Sequence, residues 1–480
     1  MSFLNKEVVQ RFYTYIDNLV EKNFLLNAAN GKTQTLKSYS DDDLHETINQ
    51  IIASVDLYSP PGLAGFICDE LAKIEKRELR ELRPVSALTL ISAACRNRQG
   101  FNTKKLNLMF LASAETAYGK EAHQEFIKEI LLRTGSQNIM CTIPRSDKAF
   151  YTELAKTGGS LYILDEAHSF FDSATSCKAS SYQADMIKMI LELNTSGLLL
   201  FPENIKKEIL NEFNSLIKNL NKKDALDHDE ADELKYLNLA GKWVKNGWSK
   251  PYVGFIGFAT PDNLERIISP QHIASGLLGR FIYLRSSGKA GELTNDPFLN
   301  QQPEARISED LVALFKQINE SDDAITLAPD AQHLLSLVLK YLELDSVRNH
   351  RKLGGLYRRG IERISQISSL LAMDTGVITG EMASYATAMF LEHVKVCEEA
   401  LNRASAGHDE NILDRAHAVV LDILKSAPQT KGLVANQLVR RSADIRKKRE
   451  THEKYEYVVL NKLVEAKNLV EKDGKYALPV

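Results

Sequence analysis

Several stretches of the sequence combine residue types that could handle a phosphorylated ligand. The first is Ala114-Glu115-Thr116-Ala117-Tyr118-Gly119-Lys120-Glu121, which follows an apolar run and leads into helical periodicity through about Leu132. A phosphate-binding turn needs small residues, so that backbone N–H groups can face phosphate oxygens. It also needs a lysine to neutralise their charge and a hydroxyl to meet Mg2+. Gly119 and Lys120 stand at the fixed positions, whereas Ala114 replaces the first glycine and Glu121 the hydroxyl residue. The competing reading is an ordinary strand-to-helix turn with a surface lysine.

The second stretch, Leu161-Tyr162-Ile163-Leu164-Asp165-Glu166, is four apolar residues ending in two carboxylates. This is a Walker B pattern: Asp165 would hold Mg2+ and Glu166 would orient an attacking water. Its rival is a strand ending in a helix-capping acid pair. Phe255-Ile256-Gly257-Phe258-Ala259-Thr260-Pro261 ends a third run on Thr260, which is placed to sense a terminal phosphate between the other two strand ends or simply to start a turn. Gly276-Leu277-Leu278-Gly279-Arg280-Phe281 sets Arg280 before a last strand. A permanently charged planar donor there suits either a transition-state contact on a neighbouring subunit or a surface salt bridge.

Positioning these residues takes a sheet. Leu106–Ala112, Asn138–Ile143, Ser160–Asp165, Tyr252–Thr260 and Arg280–Arg285 read as five buried strands alternating with helices, the pattern of a doubly wound α/β sheet with ligands at its carboxyl edge. Helical periodicity covers Lys6–Asn23, Asp42–Val55, Leu63–Glu81 and Pro84–Arg96 before the sheet. A charged helical insert, Glu203–Lys245, separates strands three and four, and helices return from Ser308 to Arg403. Ser405-Ala406-Gly407-His408-Asp409 reads as a hinge. Three helices follow, Leu413–Ser426, a short one at Leu433–Arg441 and a longer one at His452–Ala466, then alternating runs around Asp473-Gly474, which together predict a winged helix-turn-helix. The expected division is residues 1–98 helical, 99–290 ATPase, 291–408 helical lid and 409–480 winged helix.

With these residues in order, the chain resembles the AAA+ helicase-like replication proteins of prophages, phage satellites and plasmids. The resemblance runs from about residue 58 to 400 and includes Pro60-Pro61-Gly62-Leu63-Ala64 and Arg83-Pro84-Val85-Ser86-Ala87-Leu88 ahead of the phosphate loop. It implies an α/β P-loop ATPase core and a ring, usually a hexamer, loaded around DNA with ATP and Mg2+ bound between subunits. A primase is the further partner such a replication machine would use, although no residue here specifies one. By the same resemblance, Arg363 in Tyr357-Arg358-Arg359-Gly360-Ile361-Glu362-Arg363-Ile364 is the sensor-two candidate. Ala114, Ala117, Gly119, Lys120 and Glu121 would hold nucleotide, with Asp165 and Glu121 on the metal. Glu121 departs from the family pattern. A carboxylate about 4 Å from phosphate oxygens costs on the order of 4 kcal/mol per unit charge at an effective dielectric near 20, a cost that contact with Mg2+ could offset.

The basic residues Arg440, Arg441, Arg446, Lys447, Lys448, Arg449 and Lys454 are the DNA-contact candidates, with a solvated charge run or a protein-docking wing as alternatives. Bulk properties limit the choices. At 480 residues with 44% hydrophobic and 26% charged positions, the chain has material for more than one core and is not disordered wholesale. No apolar run is long enough to cross a membrane. Cys68, Cys95, Cys141, Cys177 and Cys397 lie far apart with no CxxC pair, as expected of buried thiols in a cytoplasmic protein. The net charge of -3 permits DNA binding without demanding it. The expectation is therefore an ATP-dependent DNA helicase or replication initiator of a mobile element. The alternatives are a degenerate nucleotide-binding DNA regulator or assembly scaffold that does not unwind, and a helical interaction scaffold with no nucleotide site.

Overall fold

The computed structural model describes residues 40–426 except 145, 176–180, 196, 224, 287–290, 294–306 and 321–323. Beyond 426 it describes 439–440, 446, 454, 456–457, 460–461, 464, 470–472 and 475–477. The helix expected over Lys6–Asn23 lies outside these residues. The chain divides into two compact units, Met1–Glu398 and Glu399–Val480.

The first unit is mixed α/β around a parallel sheet of five strands: β1 (Met109–Ser113), β2 (Met140–Cys141), β3 (Ser160–Leu164), β4 (Val253–Ala259) and β5 (Phe281–Arg285). Their order across the sheet is β2-β3-β4-β1-β5, so β4 lies between β1 and β3 as the Thr260 reading requires. The chain leaves β1 for the far edge, returns through β3 and β4, and then crosses β1 to form β5. Such a reversal opens a crevice at the carboxyl ends of the strands. Every residue of β1 and β4 is buried, because helices cover both faces of a parallel sheet.

Close contacts fix this packing. The helix Arg83–Ala94 is buried at every position from Pro84 to Ala94, so it serves as an internal strut against the sheet. Behind β3, the helix Ala167–Thr175 approaches β4 so closely that a Cβ on Gly257 would stand 2.5 Å from the Ala167 Cβ. Phe281 meets Phe171 and Phe255 edge to face, and those two rings meet at a tilt, with ring centroids 5.3–6.0 Å apart, which binds that helix to β4 and β5. On the outer edge of β5, the Tyr283 N–H donates to His393 Nδ1 at 3.1 Å, which leaves less of the strand edge unpaired. Burial, with Arg363 adding to it, pushes His393 down to about 3, so the ring is neutral and able to accept.

The insert between β3 and β4 is a pair of helices, Glu203–Leu220 and His228–Asn246, in the region the sequence assigned to it. Beyond β5 come helices Glu309–Glu320, Pro329–Glu343 and Gly360–Leu371, together with a parallel pairing of Thr326–Leu327 with Val377–Ile378. The hinge expected at 405–409 is not present as coil, because one helix runs from Gly380 to Ser426. A single glycine costs a helix only about 1 kcal/mol, too little to break one without a proline beside it. In the second unit, Val470–Lys472 and Lys475–Ala477 form the expected antiparallel hairpin, with Tyr476 buried. Cys68, Cys95, Cys141 and Cys397 are buried free thiols, and Cys177 lies outside the described residues. No described helix is long and apolar enough to cross a membrane.

Candidate functional site

The carboxyl edge of the sheet gathers the first group of candidates. Ser113, the last residue of β1, pairs with Ala259 of β4, and the next N–H, from Ala114, donates to the Ala259 carbonyl at 3.2 Å. On the other side of β4, Leu164 of β3 pairs with Gly257. Ala114, Thr260 and Glu166 therefore leave neighbouring strands at nearly one level. With strands about 4.8 Å apart, the ends of β1 and β3 are on the order of 10 Å apart, which a triphosphate with its cation can span.

Between β1 and the helix Lys120–Arg133, the chain takes left-handed backbone at Ala117 (φ 63°) and Gly119 (φ 94°). Glycine suits the second position, but Ala117 carries strain of about 1–2 kcal/mol. A second non-glycine in this region, Glu166 at φ 47°, sits directly after β3, and its N–H donates to Asp165 Oδ1 at 3.0 Å. Strain of this kind gathers at functional sites.

Lys120 lies on the inward face of its helix with His123, Gln124, Ile127, Ile130 and Leu131. Its Nζ donates to the Ala114 carbonyl at 2.8 Å. Burial holds Lys120 below the ordinary lysine value, while the charges of Asp165, Glu121, Glu115 and Glu166 draw it back up, so lysine and carboxylates share one electrostatic environment. Asp165, Glu166 and Glu121 are exposed, and Thr260 starts the helix Pro261–Glu265 without spending its hydroxyl on a capping bond. Among the described residues no cluster of three or more His, Cys, Asp or Glu is placed to hold a metal by itself. Asp165 and Glu121, completed by phosphate oxygens, fit the donor set of Mg2+, which binds through one or two carboxylates plus substrate phosphates.

Two features of this edge carried no sequence signal that pointed to it. Arg285 closes β5 opposite Ser113 and meets Glu265 at 2.9 Å. Beneath the Lys120 helix lies a polar relay. Arg83 grips Glu75 through Nε and Nη2 at 2.6–3.1 Å, Glu75 Oε1 lies 3.2 Å from His123 Nε2, and His123 Nδ1 meets Ser86 Oγ at 3.0 Å. Glu75 and His123 are essentially inaccessible, at 1% and 0% side-chain exposure. The relay joins the start of the Lys120 helix to the buried strut helix.

The remaining candidates lie elsewhere. Arg280 precedes Phe281, which pairs with Met109 at the start of β1, so Arg280 is at the amino edge, away from Lys120. Arg363 does not join the site, which corrects the sensor-two expectation. It is fully buried, donating to Gln366 Oε1 at 2.6 Å and Asn194 Oδ1 at 3.2 Å, and Asn194 in turn holds the carbonyl of Asn107 ahead of β1. A guanidinium committed to that amino-edge network cannot reach a ligand beside Lys120. In the second unit Arg440, Arg446 and Lys454 are exposed, and Arg446 Nη2 donates to the Arg440 carbonyl at 2.7 Å. Arg441, Lys447, Lys448 and Arg449 lie outside the described residues.

The chain is thus an α/β protein whose central parallel sheet presents one lysine, one hydroxyl and a set of carboxylates along its carboxyl edge. No protein-family model matches it, and no curated protein matches it in sequence.

Proposed function

We propose that the protein is an AAA+ ATPase that acts on DNA as a ring, an ATP-dependent helicase or replication initiator of a mobile element. The observation that carries this reading is the strand order β2-β3-β4-β1-β5, which brings Lys120, Thr260 and the pair Asp165–Glu166 to one crevice. In that crevice the backbone from Ala114 through Gly119 binds phosphate, and Lys120 exchanges its Ala114 carbonyl for phosphate oxygens. Asp165 and Glu121 are the carboxylates that would hold Mg2+, which when bound supplies neutralisation of phosphate charge. Glu166, exposed at the end of β3, orients a water and takes up its proton. Thr260 offers its hydroxyl to the terminal phosphate from the strand between. A neighbouring copy supplies Arg280, and the second unit contacts DNA as a winged helix.

A second reading, a regulator that binds nucleotide without hydrolysis, draws support from Glu121, whose carboxylate stands where Mg2+-binding loops carry a hydroxyl. One assay separates the readings: DNA-stimulated ATP hydrolysis and nucleotide binding by wild type and by Lys120→Ala. Loss of one charge-assisted phosphate contact, about 1.5–3 kcal/mol, should weaken ATP binding by roughly 10- to 150-fold and abolish turnover. Nucleotide binding that survives in wild type with no hydrolysis, with or without DNA, sinks the motor reading in favour of the regulator.

The DNA contact has its own test. Each phosphate contact contributes about 0.9 to the slope of log affinity against log salt on duplex DNA. Replacing the exposed Arg440, Arg446 and Lys454 by alanine should therefore reduce that slope by up to about three units. An unchanged slope and affinity would make the second unit a protein-docking element.

A further inference from the structure

At the amino edge of the sheet, the turn Gly276-Leu277-Leu278-Gly279 delivers Arg280 into β5, and a second arginine, Arg359, lies against the same turn from the start of the helix Gly360–Leu371. The glycines make room for both. A Cβ on Gly276, where φ is +76°, would stand 3.0 Å from Arg280 Nη1 and 3.5 Å from Arg359 Nη2. On Gly279 it would stand 2.7 Å from Arg359 Cδ. Two guanidinium groups from different parts of the fold are therefore laid side by side on a bed with no side chains of its own.

Their positive charge is poorly balanced. Arg280 Nη1 donates to the Gly276 carbonyl at 2.8 Å, but its buried Nε has no hydrogen-bond partner, and among the described residues Arg280 forms no ion pair. Among the described residues Arg359 pairs only with Glu362, at 3.8 Å, and Arg363 approaches the same carboxylate at 3.9 Å. One carboxylate thus serves both Arg359 and Arg363 within ion-pair range, and Arg280 lies outside that range. Burial lowers Arg280 from the ordinary arginine value and the Arg359 charge lowers it further, with Glu362 and Glu192 only partly offsetting them. Arg359 remains 27% exposed, so a ligand can reach it.

We propose that Arg280 and Arg359 together form a two-arginine bed for the oligophosphate of a nucleotide carried by a second copy of this chain. Paired planar forks match phosphate oxygens in a way that a single point charge does not. The bed cannot serve the nucleotide of its own copy. β1 spans the distance between the two edges, roughly 13 Å at about 3.3 Å per residue, and its phosphate turn opens at the far end. A compact bed of two guanidinium groups also suits one oligophosphate better than the long track of a nucleic-acid backbone. Arg359, on the lid side, is the added member. The trans role of the bed rests on the ATPase reading, whereas its affinity for oligophosphate does not.

The test therefore has two arms, both on the full chain. In the first, inorganic tripolyphosphate is titrated calorimetrically into Lys120→Ala, whose own phosphate turn is disabled. Binding should persist there and weaken at least tenfold when Arg359→Ala or Arg359→Lys is added, the lysine variant guarding against misfolding. Equal tripolyphosphate affinity with and without Arg359, or no binding to Lys120→Ala, overturns the bed. In the second arm, Arg359→Ala should lower ATP turnover while keeping nucleotide affinity, and mixing with Glu166→Gln copies should restore turnover by lending an intact bed. No recovery on mixing overturns the trans assignment. An Arg359→Ala that weakens DNA binding at unchanged turnover overturns it in favour of nucleic acid. Absence of hydrolysis by wild type removes the ATPase reading and with it the trans role, and the tripolyphosphate arm still decides the bed.

Discussion

Arg280→Ala is expected to reduce ATP turnover by about 10³- to 10⁵-fold, the range over which an arginine finger stabilises transition-state charge. Nucleotide affinity at the variant's own Lys120 site should stay close to wild type. The expectation follows from position: Phe281 pairs with Met109 and Arg285 with Ser113, so the strand that begins beside Arg280 ends beside the phosphate turn. A residue at the start of that strand cannot contact phosphate at its end, and any catalytic contribution must come in trans. Mixed Arg280→Ala and Glu166→Gln proteins, each inactive alone, should then recover activity at interfaces where an intact Arg280 faces an intact Glu166. Turnover of Arg280→Ala within tenfold of wild type, or no recovery on mixing, would falsify the shared site.

The strands could be read from the sequence because each is a short apolar run between helical segments, and β3, β4 and β5 lie within one residue of the stretches assigned to them at each end. β1 was expected from Leu106 and starts at Met109. Leu106 and Leu108 are buried like strand residues, but around Asn107 the backbone and side chain bond to Asn194 and Pro251, so hydrophobicity extends beyond the ladder. β2 shrinks to two residues because Gln137–Ile139 closes into a tight turn, a choice that apolar patterning does not register.

The sequence singled out Lys120 by a Gly-Lys pair ahead of a helix, and Asp165, Glu166 and Thr260 by polar residues that end apolar runs, and the sheet gathers all four toward its carboxyl edge. Arg363 shows how a resemblance can mislead where periodicity could have warned. It occupies the same buried face as Gly360, Ile364, Ile367 and Leu371, so its own helix pattern turns it inward. The strained backbone at Ala117 and Glu166 had no signal, since neither residue type favours left-handed φ. The pairing of Arg280 with Arg359 was equally hidden, because the two residues are far apart in sequence and meet only where the start of the helix Gly360–Leu371 packs on the turn before β5.

Glu75→Ala is expected to destabilise the first unit by about 3–5 kcal/mol, the cost of removing one partner from a buried, hydrogen-bonded charge pair. Arg83 and His123 would lose their shared carboxylate in a region with almost no access to water. The effect should also reach function, because His123 is one turn beyond Lys120 on the same buried helix face. Burial tends to raise the Glu75 carboxyl, but the His123 ring 3.2 Å away and the hydrogen bonds from Arg83, with their charges, outweigh it and leave Glu75 below the ordinary glutamate value. A lowered carboxylate binds fewer protons folded than unfolded, so its stabilisation is complete above the unfolded value of about 4.3 and fades as pH falls through the folded one. Urea midpoints of wild type and Glu75→Gln should therefore differ most near neutral pH and converge on acidification. A constant gap across that range would show that Glu75 contributes through packing, and an unchanged midpoint for Glu75→Ala would remove the relay from the forces that hold the phosphate turn in place.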